Sequence, residues 1–224
     1  LRRAEFPAMT RQGRPGFAVS AVLTDGTGEE RRLGCGWGAA IPGDRPARLC
    51  RVDGTPASSA QAFGEFVRFV WLTPDLDGLF RGPPGDRRRF LDRLVLAVDG
   101  LHATRVAALE RALRSRNRLL EERAAGAWLD AVERELAELG VAVAAARRET
   151  ALRLDAALLA AAATPSPFPF GRLALAGEFE DLSGGRPALE TEDLYRARLR
   201  DGRARDAAAG RTLLGPQATD LMVR

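Results

Sequence analysis

The N-terminal third of the chain contains short stretches in which apolar residues recur at every second position, a period that indicates β-strands. The clearest covers residues 17–23 and is followed by Asp25-Gly26, a pair typical of hairpin turns. Two further strands are predicted at 31–37 and 48–52, and the second of them ends at a similar pair, Asp53-Gly54. We therefore expect an antiparallel meander in this region.

In the middle of the chain the apolar residues recur every three or four positions, as on the buried face of α-helices. Ser58 and Ser59 are expected to cap a short helix before this region, and Asp86 to cap a helix over 87–98. Two longer stripes follow, on either side of Gly126, and they predict an antiparallel helical hairpin with a coiled-coil-like seam. The stripes comprise Val106, Leu109, Leu113 and Leu120, and then Leu129, Val132, Leu136, Leu139 and Val143.

The C-terminal segment returns to mixed structure beyond Pro165, before which the second hairpin helix should end, because a residue that precedes proline disfavours helical geometry. We predict a strand at 172–176, a charged helix over 188–209, and short strands at 212–214 and 221–223. The fold class expected from these patterns is α+β at both ends of the chain, with an all-helical antiparallel hairpin as an insert.

The composition is that of a soluble globular protein, because 46% of the 224 residues are hydrophobic and 29% are charged. All basic residues are arginine, yet the net charge is only +4, so a basic surface has to be located residue by residue. The longest uncharged run, 156–171, is too short to span a bilayer and contains three prolines. Since the start also lacks the features of a signal peptide, we expect a cytoplasmic protein with no membrane segment.

Few side chains offer the chemistry of a complete active site. Cys35 and Cys50 lack metal-ligand spacing and indicate reduced thiols rather than a zinc site. The only histidine, His102, is expected to be structural. A chain without lysine cannot contain a P-loop lysine. The stretch 182–185 spells the start of an ABC-ATPase signature, but no apolar strand follows it at the required distance, and we interpret it as a chance loop. We therefore predict no catalytic and no metal-binding residue.

Arginines are concentrated on the first hairpin helix, where steps of three and four residues place three of them on one face. Such a row can meet successive phosphates of a nucleic acid, while the alternative is an ordinary solvated face. Arg105 and Arg116 are expected to add to this charge. A second cluster begins the preceding helix, where phosphate binding and pairing with nearby acids are both open. The candidate DNA contacts are Arg111, Arg114 and Arg118 on the hairpin, and Arg87, Arg88 and Arg89 in the second cluster.

Three blocks of sequence resemble the RecF family of DNA replication and repair proteins. The first is the segment 71–80, continued by Gly82-Pro83 and residues 87–92. The second is Arg116-Asn117, which matches an Arg-Asn pair in the lid helix of the family, and the third is 210–221, which is similar to its GPHRDDL stretch. The blocks occur in the family's order and the resemblance covers nearly the whole chain, so that together they are specific.

The resemblance implies an SMC-like ABC-type ATPase, that is, an incomplete α/β ATPase lobe with the helical hairpin as its insert. Residues 1–84 would be the N-terminal part of the ATPase lobe, 85–165 a helical lid, and 166–224 the return into the ATPase lobe. It also implies ATP and Mg²⁺ as ligands of the intact protein, a weak DNA-dependent ATPase activity and an ATP-dependent homodimer. The implied partners are single-stranded, gapped and double-stranded DNA and the mediators RecO and RecR, in recombinational repair and the SOS response to DNA damage.

Several elements of the family pattern are expected to lie outside this chain. The Walker A loop should precede Leu1, and the signature helix and Walker B strand should follow Arg224, so the chain is interpreted as an internal fragment that neither binds ATP tightly nor hydrolyses it. Within the third block, Gln217 replaces a family histidine, and Ala218-Thr219 replace an arginine and an acid. These replacements argue against a phosphate or DNA contact by this stretch.

The nucleotide-site candidate within the chain is Asp75, in the sequence Thr73-Pro74-Asp75. The resemblance places this segment where related ATPases sense the γ-phosphate and its Mg²⁺, and a carboxylate there could hold a metal-bound water. The alternative is that Asp75 caps a short helical turn.

A function of a different class remains open on the sequence alone. The chain could be a non-enzymatic helical scaffold that binds a protein partner through the leucine face of its hairpin. This alternative accounts for the apolar stripes and the missing catalytic residues without truncation.

Overall fold

The computed structural model describes residues 4–39, 44–70, 73–167 and 169–224, with the side chain of Asp75 left out. It divides into two compact units, Leu1–Phe69 and Val70–Arg224. Mixed helices and sheets confirm the predicted α+β class. In the second unit the helical segment and the C-terminal segment share one core, and the boundaries expected at 84/85 and 165/166 stay a prediction.

The first unit is the predicted meander, a four-stranded antiparallel sheet in the order β1-β2-β3-β4. At the first turn the Asp25 carboxylate accepts the backbone N–H groups of Thr27 and Glu29, which explains the tight connection. Ser59 caps a 3₁₀ helix, as predicted, by accepting the N–H of Gln61. The elements are a 3₁₀ helix Phe6–Met9, β1 (Phe17–Thr24), β2 (Glu30–Gly38), β3 (Ala47–Val52), β4 (Thr55–Ala57) and the 3₁₀ helix Ala60–Glu65. Sequence patterning did not predict the short strand β4.

The second unit is dominated by helices, with one two-stranded antiparallel sheet formed by its last two strands. Its elements are the 3₁₀ helix Pro74–Gly78, α1 (Pro84–Leu96), α2 (His102–Glu121), α3 (Gly126–Ala161), β5 (Leu173–Ala176), α4 (Glu178–Ser183), α5 (Ala188–Asp201), α6 (Arg203–Ala209) and β6 (Asp220–Val223). No helix of the described residues is long and apolar enough to cross a membrane.

The predicted helical hairpin is confirmed, because α2 packs along α3 and a short loop joins them. The buried residues of α3 follow the predicted stripe, except that Leu139 is only partly buried. On α2 the predicted Leu109 and Leu120 are buried, and the predicted Val106 and Leu113 are partly buried and pack against the core. The other buried members of this helix are His102, Ala112 and Arg116. The core between the hairpin and α5 is completed by Phe179 and Tyr195, whose rings meet edge to face at 4.8 Å.

Three boundaries differ from the expected ones. Helix α1 begins at Pro84, where a proline is favoured in the first turn, so Asp86 lies inside that turn rather than at the cap. The predicted helix 188–209 is interrupted at Gly202 into α5 and α6. Residues 212–214 are irregular, because their polar groups bond to side chains of the helices instead of to a neighbouring strand.

Candidate functional site

The three blocks that carry the family resemblance meet at the loop 210–219, which connects α6 to β6. Its course is fixed in part by Gly215, whose φ is +143°. A Cβ at this position would lie 2.3 Å from both the Tyr195 hydroxyl and Oε1 of Gln217. The Tyr195 hydroxyl in turn donates to the Leu214 carbonyl at 3.0 Å. The close packing therefore requires glycine here and ties the loop to α5.

The second block holds the beginning of this loop. Arg116 is fully buried, and its guanidinium donates to Asp206 at 2.7 Å, to the Thr212 hydroxyl at 2.8 Å and to Glu133 at 3.0 Å. The side-chain oxygen of Asn117 accepts the backbone N–H and the hydroxyl of Thr212 at 2.9 and 2.8 Å. The Arg-Asn pair therefore anchors the loop. The expectation that Arg116 adds to the exposed charge of α2 is wrong.

A second buried arginine, which sequence reasoning did not single out, holds the middle of the loop. Arg147 of α3 donates to the Pro216 carbonyl at 2.7 Å and forms a bidentate pair with Asp92, both bonds being 2.8 Å long. The ring Nε2 of His102 lies 2.7 Å from Asp92, and His102 is buried at the start of α2. Burial of Asp92 opposes its ionisation, yet the hydrogen bonds from His102 and Arg147 lower its pKa overall. His102 therefore has a structural contact, as predicted.

The first block holds the end of the loop. Arg87 forms a bidentate pair with Asp220, at 2.7 and 2.8 Å, and also donates to the Gly82 carbonyl at 2.6 Å. These bonds lower the pKa of Asp220 below its usual range. Arg88 donates to the Thr219 carbonyl at 2.9 Å. We refer to Arg87, Arg116 and Arg147, each buried and paired with a carboxylate, as the anchoring arginines.

The second cluster of candidate DNA contacts has internal partners for much of its charge. The guanidinium of Arg87 is occupied by its internal partners, and Arg88 is half-buried. Arg89 is exposed and pairs with Asp86 on the same helix. Occupied guanidinium groups cannot meet a phosphate without breaking these bonds, which makes Arg87 a structural residue in this arrangement.

The arginines of α2 that do face solvent are Arg111, Arg114 and Arg118, here called the surface arginines. They lie on the face of the helix opposite Leu109, Ala112 and the buried Arg116. Arg114 approaches Glu110, one turn away, only to 3.9 Å, with both side chains well exposed. Exposed pairs of this kind contribute little to stability, so the guanidinium groups remain accessible to an anionic ligand.

The nucleotide-site candidate Asp75 lies inside the 3₁₀ helix Pro74–Gly78, and its side chain is outside what the structure describes. Thr73 occupies the N-cap position of this helix, and the alternative that Asp75 satisfies the first amides of the turn stays a prediction. Trp71 and Leu72, at the start of the first block, also lie outside the described residues.

Residues 182–185 do not have the geometry of an ABC signature. A signature motif opens a helix, whereas Leu182 and Ser183 end α4 and the two glycines follow it. The interpretation as a chance match is supported, although half of the stretch is helical rather than loop. Among the described residues, no group of three His, Cys, Asp or Glu side chains is placed to hold a metal ion.

A shallow polar cleft of about 340 Å³ lies between α3 and α5. Two of its three arginines are paired with its two acids, since Arg200 pairs with Asp130 at 3.2 Å and Arg196 with Asp193 at 2.9 Å, while Arg134 is the third. This internal pairing gives the cleft little excess charge with which to attract an anion.

Comparisons with known proteins agree on one group of relatives. No protein-family model matches the chain. The DNA replication and repair protein RecF of Rhizobium meliloti (strain 1021) is 47% identical over 226 residues, a match that covers 100% of this chain and 59% of that protein. RecF of Rhizobium rhizogenes (strain K84 / ATCC BAA-868) is also 47% identical, with the same coverage, and RecF of Brucella abortus (strain 2308) is 45% identical, with 58% of that protein covered.

Two solved structures share the fold at low sequence identity. They are structures of the recombination mediator protein RecF in the RecFOR pathway, one with ATPrS and one with ATP. Their TM-scores are 0.77 and 0.71, at 17% identity, with 99% of this chain and 59% of the solved chains covered. The chain thus spans about 59% of the length of its relatives, by sequence and by structure alike.

Proposed function

Because the chain belongs to the RecF family, we propose that it forms part of a RecF-type DNA replication and repair protein that binds DNA in an ATP-dependent manner. The observation that carries the proposal is the match at 47% identity over the whole chain. The convergence of all three family blocks on one loop supports it, because each block contributes anchoring bonds to the same structure. Since the chain spans only 59% of these relatives, the activity is proposed for the whole protein.

In this proposal the ATP-binding machinery is shared between this chain and the rest of the protein. Asp75 would hold a water of the Mg²⁺ ion that accompanies ATP, while the Walker A, signature and Walker B elements would come from outside the chain. With ATP bound, two copies would form a homodimer, and the assembly would act with RecO and RecR in recombinational repair and the SOS response, in the cytoplasm. The purified chain, which contains no lysine for a phosphate cradle, is then inactive as an ATPase. Measurable ATP turnover by it would contradict this assignment.

The surface arginines are the DNA contacts that the geometry favours. They are exposed on one face of a long helix, and the anchoring arginines, which are equally basic, have their bonds satisfied inside the protein. Arg89 is also exposed, but it is paired with Asp86. The leucine face that a scaffold function would need for a protein partner is packed into the core, which favours the RecF-type function over that alternative.

Salt dependence of DNA binding tests this surface. We expect the full-length parent chain, in the presence of ATP, to bind a fluorescein-labelled gapped duplex with an affinity that falls steeply with salt concentration. Each arginine that neutralises a phosphate of duplex DNA contributes about 0.9 to the slope of log K against log salt. The triple variant Arg111→Gln, Arg114→Gln, Arg118→Gln should therefore bind more weakly, with a slope lower by about two to three. Fluorescence anisotropy over a salt series measures both quantities.

A second triple variant provides the matched control. Arg134→Gln, Arg198→Gln and Arg205→Gln remove the same charge from exposed helical positions on α3, α5 and α6. This variant should keep most of the affinity and the slope of the parent chain. A flat salt response of the parent chain, or an equal loss in both triple variants, would contradict a DNA contact by the surface arginines.

A further inference from the structure

The two cysteines of the chain occupy directly opposite positions on neighbouring strands of the meander. Cys35 of β2 is the register partner of Cys50 of β3. Because opposite residues of an antiparallel pair project to the same face of the sheet, both thiols lie on one face. They are close enough to hydrogen-bond to each other, and both are free thiols in the structure.

The register also sets the distance between the two backbones at this point. In an antiparallel ladder, hydrogen-bonded and non-hydrogen-bonded pairs alternate. The N–H of Asp53 donates to the Arg32 carbonyl at 2.8 Å, which makes that pair a hydrogen-bonded one. Counting along the ladder, Cys35 and Cys50 form a non-hydrogen-bonded pair, in which the Cα atoms are about 4.5 Å apart. This value lies within the range of roughly 4.4–6.8 Å that a disulfide spans, so a bond requires little movement of the backbone.

The surroundings make the two thiols unequal. Cys50 is buried, and burial raises its thiol pKa, an effect that the neighbouring Arg48 opposes. Cys35 is half-exposed and therefore open to a small oxidant in solution. The guanidinium of Arg48 lies beside both sulfur atoms, and a cation next to a sulfur favours its attack as a nucleophile. An accessible sulfur next to a cation, with a second sulfur directly behind it, is the arrangement of a peroxide-sensitive pair.

We propose that Cys35 and Cys50 form a reversible modification site, at which a peroxide converts the two thiols into a disulfide that joins β2 to β3. The Cys35 thiolate attacks one oxygen of hydrogen peroxide, so that an S–O bond forms, the O–O bond breaks and hydroxide leaves and is protonated to water. The Cys50 sulfur then loses its proton and attacks the Cys35 sulfenic acid, so that the S–S bond forms, the S–O bond breaks and a second water leaves. The two thiols supply the two electrons that the peroxide accepts.

The same chemistry predicts how the site is reset. A dithiol reductant attacks the disulfide, returns both cysteines to thiols and is itself oxidised to a disulfide. The site lies in the first unit of the chain and uses none of the residues assigned to DNA binding or to the loop 210–219. The proposal is therefore independent of the proposed repair function.

Hydrogen peroxide added to the purified chain tests the proposal. Before treatment, both cysteines of the denatured protein should react with a maleimide, and after treatment neither should react while the protein remains a monomer on a non-reducing gel. Mass spectrometry of a tryptic digest should then show the Cys35 peptide linked to the Cys50 peptide, and dithiothreitol should restore both labels. Retention of both labels, a disulfide between two chains, or Cys35 oxidised to a sulfinic acid with Cys50 still labelled would each overturn the proposal.

Two single variants separate the roles of the sulfur atoms. In Cys50→Ser, peroxide should leave Cys35 as a sulfenic acid that dimedone traps, whereas in Cys35→Ser the buried Cys50 should keep its label. Replacement of the cation by Arg48→Gln should slow the disappearance of labels several-fold, because the attacking sulfur loses its neighbouring positive charge. An unchanged rate in Arg48→Gln would overturn the assigned role of Arg48. The linked peptides of the parent chain decide the proposal even if a variant does not fold.

Discussion

The two faces of α2 carry the same residue type in opposite roles. On the inner face Arg116 is fully buried among two carboxylates, a hydroxyl and a backbone carbonyl, while on the outer face the surface arginines extend into solvent. The difference arises because Arg116 falls on the stripe that also contains Leu109 and Ala112, at helical spacing. Position on the helix, and not the local density of arginine, decides whether a charge organises the protein or is available to a ligand.

The largest expected loss of stability follows from removing the charge of Arg116 on the inner face of α2. In Arg116→Met, Asp206 would remain buried without its cation, while Glu133 would keep its contact with Arg203. Breaking one partner out of a buried ion pair costs about 3–5 kcal/mol, a large part of the stability of an ordinary domain. We expect a loss of this size in the free energy of unfolding, measured by urea denaturation, with the loop 210–219 open to proteolysis.

Arg114→Met, on the outer face of the same helix, is the matched control for Arg116→Met. Its side chain is exposed and its contact with the Glu110 carboxylate is 3.9 Å long, so the change in unfolding free energy should stay within about 0.5 kcal/mol. Equal losses in the two variants would show that the two faces do not differ in the way the structure indicates.

The long periodic elements of the fold could be predicted from sequence, and the irregular ones could not. The hairpin of α2 and α3 follows from apolar residues repeated over many turns, and β1 follows from alternation before a turn pair. The stretch 212–214 has the pattern of a strand because it is short and apolar, but its polar groups bond to side chains of the helices. Asp206 is only 7 residues from its partner, whereas Tyr195 is 19 and Asn117 is 95 residues from theirs. Partners at such separation leave no mark on a local pattern.

The same limit explains why only part of the candidate site could be predicted from the sequence. The position of Arg116 could have been recognised as inward, because it follows Ala112 by four residues and precedes Leu120 by four on the buried face. Its partner Asp206, however, is 90 residues away, and the pair Arg147–Asp92 spans 55 residues. The family resemblance located the three blocks in the sequence, and only the fold shows that they meet at one loop.

An intermediate loss of stability is expected at Arg87, the anchoring arginine that is less completely buried than Arg116. Asp220→Asn removes the charge that Arg87 grips with two hydrogen bonds at the end of the loop. Hydrogen bonds to charged groups contribute about 1.5–3 kcal/mol, and we expect a loss in this range by urea denaturation. A double-mutant cycle with Arg87→Gln should show that the two effects are not additive. Additive losses would mean that the pair does not hold the loop.

A smaller effect on stability, seen mainly as a change with pH, is expected for the ion pair of Arg172 and Asp155. In this pair the arginine is exposed and the carboxylate is not. Asp155 of α3 accepts Arg172 through both oxygens and also accepts the N–H of Leu173, and these bonds lower the pKa of Asp155 from 3.8 to about 2. A carboxyl whose pKa is lower in the folded state stabilises the fold above the unfolded pKa and loses this contribution as the pH falls. The stability difference between the parent chain and Asp155→Asn should thus be constant above about pH 5 and shrink between about pH 4 and 2. Denaturant unfolding over a pH series measures this difference, and one that grows in acid would contradict the assignment.

The smallest effect on stability is expected for the outer face itself. The triple variant of Arg111, Arg114 and Arg118 to glutamine removes three exposed charges, and no single position should change the unfolding free energy by more than about 0.5 kcal/mol. Relief of repulsion among these neighbouring arginines could make the total slightly favourable, which thermal and urea unfolding would both detect. If removing these charges does not lower the unfolding free energy, the fold does not require this face to be basic. Unchanged stability together with weakened DNA binding would therefore separate the ligand-binding role of the outer arginines from the anchoring role of Arg116. A stability loss comparable to that of Arg116→Met would instead assign the outer arginines to the fold.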